Sequence, residues 1–219
     1  MFIFGNILVT GASRGLGLAL VKTLADMDQV ERVYAGCRRI EEAPDLVRLS
    51  KLHHKIKVVK LDVQNDLSIQ LAVKEIEFEI HDEGLHLLVN NAGILEMLML
   101  PLLRTAAGKK KVAGVVNISS SVGSTSTIRS QNVLSTGNIV YGMSKAALNN
   151  FTTSLASIEK KNRIIAVSIA PSWTKTKIGG HSAPSSPNET ATAILSVVSN
   201  LTFKDSGKFF DDTGIDLPY

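Results

Sequence analysis

Short apolar runs alternate along this chain with segments of helical period, and no other feature restricts the fold as strongly. The runs are Asn6–Thr10, Arg32–Gly36, Lys57–Leu61, Leu85–Asn90, Val112–Ile118, Ile164–Ile169 and Lys208–Phe210. Strands separated by helices pair in parallel through crossover connections. Between the first two runs, Leu16, Leu20, Leu24 and Met27 fall on one helical face. Asp66 stands where it can cap a helix in which Ile69, Val73, Ile76 and Ile80 share a stripe. Tyr141–Lys160 predicts a further helix, with Ala147, Leu148, Phe151, Leu155 and Ile158 available for burial. The start of the last long helix is written as Ser186-Pro187-Asn188-Glu189: an N-cap, proline at the first helical position and the capping-box glutamate. The polar segments 121–138 and 172–186 read as mobile loops. Both follow expected strands, so both belong at the carboxyl end of the sheet, where open α/β sheets bind ligands.

The first strand runs directly into Thr10-Gly11-Ala12-Ser13-Arg14-Gly15-Leu16-Gly17. Glycine lets the backbone turn tightly and approach a phosphate with no Cβ in the way. The N–H groups and positive dipole end of the helix that follows then receive the charge. An ordinary glycine-rich turn is the alternative for such a pattern alone; strand before, helix after and the N-terminal position favour a dinucleotide pyrophosphate. No Lys-Ser/Thr follows the last glycine, so it is not a P-loop. After the second strand comes Cys37-Arg38-Arg39, where an NAD site places an acid for the ribose 2′-hydroxyl. An arginine there suits a 2′-phosphate, and Arg14 can add a second positive contact. NADP(H) is therefore expected, against the alternative that these arginines are solvated surface charge. The expected fold is α/β: a Rossmann-type doubly wound parallel sheet of about seven strands, helices on both faces, in one domain over 1–219.

Composition removes other classes. A hydrophobic share of 44% supports a packed core rather than disorder. The net charge of +4 is dispersed, and aromatic residues are only 5%. A nucleic-acid surface would need a basic face with stacking rings, so that partner is not expected. The cluster Lys109–Lys111 reads as a solvated helix C-terminus. A lone Cys37 excludes an internal disulfide and fits a reducing compartment. The apolar start Met1–Val9 lacks a basic n-region and leads into the glycine turn, so it reads as a buried strand rather than a signal segment. No run is long enough to span a bilayer. A cytoplasmic protein with no membrane partner is expected, and the histidines, His53-His54, His81 and His86 among them, lack metal-ligand spacing, so no metal is expected.

Taken with these features, the motif order resembles that of the short-chain dehydrogenase/reductases over essentially the whole chain. The matching pieces are Thr10–Gly17, Asp62 after the third strand, Asn90-Asn91-Ala92-Gly93 after the fourth, Asn117-Ile-Ser-Ser120 on the fifth, Tyr141-x3-Lys145, and Pro171-Ser172-Trp173-Thr174-Lys175-Thr176 after the sixth. Within that family, Pro101–Ala107, the long loop before Tyr141 and Gly179–Pro184 look like the sniffer or C-factor-like carbonyl reductases. The resemblance implies NADPH-dependent reduction of a ketone, aldehyde or quinone. It implies Ser120, Tyr141 and Lys145 as catalytic residues. It implies a cofactor site of Gly11, Ser13, Arg14, Gly15, Leu16, Gly17, Arg38, Asp62, Val63, Asn90, Ala92, Gly93, Tyr141, Lys145, Pro171, Thr174 and Thr176. Asp62 would bond the adenine amine, Asn90 support the strand and cofactor region, Ala92 and Gly93 line the adenosine ribose, and Thr176 hold the carboxamide. Ser172 departs from the family's usual glycine.

The residue types suit the chemistry. Ketone reduction builds negative charge on oxygen, and a donor poised there lowers the barrier. A tyrosine of ordinary pKa, about 10, is a slow proton relay at neutral pH. The Lys145 ammonium, four residues on and so on the same helix face, is expected to lower that pKa.

One family element has no counterpart. No asparagine lies between Asn91 and Asn117, where the resemblance implies a catalytic one that organises a water-linked relay to the lysine. The crossover from Ile94 to Ala113 is short by roughly two to three dozen residues. A helix over Leu95–Ala107 would reach roughly 20 Å, enough for a parallel connection. Pro101 interrupts its hydrogen bonding. Leu95, Met97, Leu98, Met99, Leu102 and Leu103 make it apolar nearly all round, which calls for a covering partner or leaves an exposed patch. The family dimer commonly uses this helix, so a homodimer, though compatible with the resemblance, would have a shortened interface. The second functional reading is an NADP-binding relative or shortened isoform, impaired in catalysis and regulatory.

Overall fold

In the computed structural model, which describes residues 2–92, 96–108, 112–131 and 139–219, the seven expected strands form one sheet. They are β1 (Gly5–Thr10), β2 (Val30–Cys37), β3 (Ile56–Lys60), β4 (Leu87–Asn90), β5 (Ala113–Ile118), β6 (Ile164–Ala170) and β7 (Phe209–Asp211). All pair in parallel, in the order β3-β2-β1-β4-β5-β6-β7. The helices are α1 (Gly15–Ala25), α2 (Pro44–Leu52), α3 (Asp66–Ile80), α4 (Glu96–Gly108), α5 (Thr125–Gln131), α6 (Ile139–Glu159) and α7 (Pro187–Ser199).

Every residue of β1, β4, β5 and β6 is buried, as a parallel sheet with both faces covered requires. Side chains alternate across the sheet. Ile7, Val9, Val33, Val89 and Val167 pack with Leu20 of α1, Leu46 of α2 and Ile194 of α7. Leu8, Tyr34, Leu88, Val115 and Ala166 face the other way, onto Ile76 of α3, Leu103 of α4 and Leu155 of α6. From β1 the chain works outward to β3, then returns to lay β4 on the opposite side of β1. The crevice at the carboxyl ends of β1 and β4 is therefore the topological switch point.

Several local expectations need correction. Asn65, not Asp66, caps α3. Asn65 is extended and accepts the Ser68 N–H at 2.9 Å, leaving Asp66 inside the first turn, where its charge suits the dipole. Val73 and Met27 are only partly buried. On α6, Ala147 and Ile158 are exposed and Phe151 half-buried. The buried side runs through Leu148, Asn149, Thr152, Leu155, Ala156 and Glu159, because this helix packs polar groups as well as apolar ones. The capping box opening α7 forms as expected, with Ser186 N–H donating to Glu189 at 2.7 Å and Glu189 N–H to the Ser186 hydroxyl at 3.3 Å.

The described part of the stretch expected as a loop, 121–131, is largely helical: a 3-10 turn at Ser121–Gly123, then α5. Ser124 caps α5 by accepting the Thr127 N–H at 3.0 Å, so hydroxyl-rich sequence signalled a cap as well as a loop. Residues 132–138 lie outside the described residues, as do Lys109–Lys111.

The helix expected over Leu95–Ala107 is α4. Leu95 and the side chain of Met97 lie outside the described residues. The chain itself covers most of its apolar surface: Met99, Leu100, Leu102, Leu103, Ala106 and Ala107 are buried, while Leu98 is 38% exposed. Gly84, at φ 72°, allows the chain to pass so close that a Cβ there would sit 2.4 Å from the Ala106 nitrogen. Leu85 N–H then donates to Leu102 O at 3.0 Å. Arg104 ties α4 to the end of α6 through two bonds to the buried Glu159 carboxylate, 3.0 and 2.5 Å. The shortened crossover is thus packed and anchored within the chain. No helix among the described residues is long and apolar enough to cross a membrane.

Candidate active site

The glycine turn links β1 to α1 at the switch point. Gly11 has φ 67° and Gly15 φ 57°, a region that side chains with a Cβ rarely adopt. Gly17 is needed for space: a Cβ there would lie 2.3 Å from Gly11 O and 2.7 Å from Asn91 Nδ2. Arg14 occupies the N-cap of α1 in extended conformation, makes no side-chain cap, and the first turn holds no acid. The first N–H groups of α1 therefore keep their capacity for an anion. The exposed Arg14 and the half-buried Ser13 flank that opening, and Leu16 anchors the helix below it.

The turn is braced from β4. Asn91 donates its side-chain N–H to Thr10 O at 3.0 Å and to Gly11 O at 3.2 Å. The backbone N–H groups of Asn91 and Ala92 both donate to the Thr10 hydroxyl, at 3.1 and 3.0 Å. Asn90 points inward, and its amide donates to Asn117 on β5 at 2.9 Å. Asn117 continues to Thr152 on α6, and Ser168 on β6 donates to the same hydroxyl, each at 2.9 Å. Of the paired asparagines, then, Asn91 holds the turn, and Asn90 joins the strand bearing the turn's brace to the strand bearing Ser120. Gly93 lies outside the described residues.

Around this crevice, Arg38 directly follows β2 and is exposed, with no ion pair among the described residues, whereas Arg39 is held by Glu42 at 2.9 Å. Asp62 and Val63 follow β3 half-buried. Asp62 accepts the Gln64 N–H at 3.1 Å and donates its own N–H to the Ser68 hydroxyl at 3.0 Å. Past β6, Pro171 leads into a loop closed on itself by the Thr174–Ser185 bridge. Ser172, which replaces the usual glycine, donates its N–H to Asp212 at 2.8 Å. The Thr174 side chain is buried and bonded to Ser172 O and Thr190, so only its backbone can face a cofactor. Thr176 stands beside the turn, its Cγ2 3.5 Å from where a Gly15 Cβ would be.

Ser120 follows β5 directly and opens the 3-10 turn. That turn is pressed against α6 at Gly123, where a Cβ would come 2.8 Å from the Lys145 carbonyl carbon. Ser119 and Asn149 make the clamp. The Ser119 hydroxyl donates to Asn149 Oδ1 at 2.6 Å, and Asn149 Nδ2 donates to Gly123 O at 3.4 Å. Ser120 is thereby held against the helix that carries Tyr141 and Lys145, with its side chain close enough to the Tyr141 phenol to favour the ionised form.

The expected depression of the Tyr141 pKa by Lys145 is not what this arrangement produces. Burial pushes the phenol above its ordinary value, and the neighbouring Ser120 side chain offsets this only in part. Burial also pushes Lys145 down. The physical reason is where the ammonium goes: Nζ donates to Ile118 O at 2.7 Å and stays 5.6 Å from the phenol ring centroid. Among the described residues, no group of three His, Cys, Asp or Glu side chains is arranged to hold a metal.

The short chain dehydrogenase family model matches this chain over residues 5–106 and 97–185. The chain belongs to that family. Among solved structures, the carbonyl reductase Sniffer of Drosophila melanogaster is 31% identical over 100% of both chains, with a TM-score of 0.90. The NADPH-bound carbonyl reductase from chicken fatty liver is 30% identical over 98% of both, also at 0.90. An uncharacterised oxidoreductase of Schizosaccharomyces pombe is 28% identical across 96% of each chain, in an alignment of 257 positions. That alignment is longer than the 219 residues here, so the yeast protein carries residues this chain lacks. The two matched pieces of the family model meet within α4, the shortened crossover. The short-chain dehydrogenases are oxidoreductases, and the Rossmann-type sheet with its glycine turn is the form in which this chain shares their fold.

Sequence reasoning named Asn91 without giving it a task and did not single out Ser119 or Asn149 as site residues. The signal for Asn149 was available: it lies four residues after Lys145, hence on the same helix face. What it touches depends on how the Ser121–Gly123 turn folds back, which spacing does not reveal.

Proposed function

We propose that this chain reduces a carbonyl compound, a ketone, aldehyde or quinone, to an alcohol with NADPH, using Ser120, Tyr141 and Lys145. The observation carrying this reading is a phenol whose proton the Ser120 side chain influences, one turn from Lys145, at the carboxyl end of the sheet that also holds an uncapped helix start. The residues fit the cofactor: glycines at positive φ leave room for a pyrophosphate, and α1 offers it free N–H groups. Exposed Arg38 and Arg14 are the groups to meet a 2′-phosphate. When bound, NADPH supplies the hydride that goes to the carbonyl carbon. Ser120 donates to the substrate oxygen and orients it. Tyr141 gives that oxygen its proton as negative charge develops. Lys145 supports the phenolate left behind and serves the nicotinamide ribose.

The second reading, an NADP-binding relative impaired in catalysis, is favoured by a specific observation: Lys145 Nζ is bonded to Ile118 O at 2.7 Å, with no family asparagine between Asn91 and Asn117 to organise a relay. One experiment separates the two. NADPH oxidation is followed with quinones and aldehydes for wild type and Tyr141→Phe, with NADPH and NADH affinities measured on both. Loss of the acid should reduce turnover by about 10²–10⁴-fold and leave NADPH binding intact. Turnover retained in Tyr141→Phe refutes the assignment; tight NADPH binding with no turnover in wild type selects the second reading. Equal affinity for NADH and NADPH sinks the 2′-phosphate assignment.

A further inference from the structure

We propose that the segment Leu217–Tyr219 is a strap that positions the Ser120 side of the catalytic site, an inference that rests on the reductase reading above. The turn bearing Ser120 is fixed at its near end by the Ser119–Asn149 clamp. Its far end is fixed by this strap. The Ser124 hydroxyl, on a residue with no exposure, donates to Pro218 O at 2.6 Å. Tyr219 O accepts both the Ser126 hydroxyl, at 2.8 Å, and the Ser126 N–H, at 3.3 Å.

The strap is held in turn by the sheet and by the catalytic helix. Leu217 N–H donates to Phe209 O at 2.6 Å. The Tyr219 ring stacks on Phe209 of β7, centroids 5.9 Å apart and planes at 22°. Its hydroxyl donates to Gly207 O and accepts the Thr153 hydroxyl at 3.0 Å. Thr153 lies on α6, the helix of Tyr141 and Lys145. From Ser124 back to Ser120 the path is stiff: Ser124 N–H bonds Ser121 O at 3.0 Å, and Gly123 N–H bonds Ser120 O at 2.9 Å. One tyrosine therefore links the start of α5, β7 and α6, and sets where the Ser120 hydroxyl stands relative to the Tyr141 phenol. Tyr219 touches none of the reacting groups; it is a positioning residue. Reaction geometry is sensitive to such positioning, since a displacement of about 1 Å can cost up to about a hundredfold in rate.

The test uses Tyr219→Ala, Tyr219→Phe and Ser124→Ala. Tyr219→Ala is expected to lower kcat by about tenfold or more, with NADPH affinity within about twofold of wild type, because the glycine turn lies at the other side of the site. Tyr219→Phe keeps the stack and loses the hydroxyl links, so it should recover part of the loss. Ser124→Ala removes the Pro218 bond together with the α5 cap to the Thr127 N–H, leaves the Tyr219 links in place, and should act in the same direction. Amide hydrogen exchange gives a readout that needs no turnover: residues 120–131 should exchange about tenfold faster or more in Tyr219→Ala, with residues 10–20 unchanged. Unchanged kcat and KM in an active Tyr219→Ala protein, or unchanged exchange over 120–131, overturns the strap. Absence of turnover in wild type instead counts against the reductase reading, and the exchange experiment still decides the strap.

Discussion

Replacing Gly17 with alanine tests the cofactor turn most directly. The added Cβ would lie 2.3 Å from Gly11 O and 2.7 Å from Asn91 Nδ2. Non-bonded carbon contacts are comfortable at about 3.5–4 Å, so the carbonyl must retreat by roughly 1 Å or α1 must lift off the sheet. Overpacking of this kind costs about 1–3 kcal/mol. The movement also stretches the Asn91 bonds to Thr10 O and Gly11 O, each contributing about 0.5–1.5 kcal/mol. A loss of about 3 kcal/mol corresponds to a fall in Tm of roughly 6–12 °C for a chain of this size. If about half of that distortion falls on the N–H groups that would face the pyrophosphate, NADPH affinity drops about tenfold. Calorimetry measures the first and fluorescence titration the second. Gly108→Ala is the control, since nothing stands within 4 Å of its Cβ position among the described residues; it should be neutral or stabilising by up to about 1 kcal/mol. Gly17→Ala with wild-type Tm and NADPH affinity would refute the close approach of helix, strand end and Asn91.

Two further outcomes follow from the charges. The Arg104 bonds hold the Glu159 carboxyl below its ordinary pKa, so their stabilisation is present above about pH 4.3 and is lost as pH falls through the folded value. Arg104→Met leaves a buried carboxylate supported by Asn162 at 2.7 Å. Breaking a buried pair costs about 3–5 kcal/mol, and the half-exposed guanidinium places this one at or below the low end of that range. Urea midpoints should show a clear deficit at pH 7 that narrows only as pH falls below about 4; a deficit independent of pH contradicts the assignment. Since burial raises the Tyr141 pKa, its proton stays available through the neutral range, and kcat/KM for carbonyl reduction should be flat from about pH 6 to about 9. An alkaline limb that disappears in Lys145→Met would belong to the lysine, which burial pushes down; one that persists there would refute the raised phenol.

The sequence by itself determined the sheet. Each strand is a short apolar run between turn signals, and a parallel sheet buried on both faces leaves such a segment nowhere else to go. It also named candidate site residues that the fold gathers at one end of the sheet, because Gly11–Gly17, Ser120 and Tyr141-x3-Lys145 are tied to the ends of those strands and to one helix face. Boundaries and caps were less legible: Asn65 took the cap from Asp66, and Ser124 turned part of an expected loop into α5, since neighbouring hydroxyl and amide residues compete for the same N–H groups. Only the tertiary structure decided what α4 does. Its composition called for a covering partner or an exposed patch, yet Gly84 lets the chain close against it and Arg104 reaches a carboxylate fifty-five positions away in sequence. Only the tertiary structure, too, sent the Lys145 ammonium to Ile118 O and placed Asn91, Asn149 and Tyr219 around the site. These contacts join segments far apart in the chain, and their partners are fixed by how the layers pack rather than by any local period.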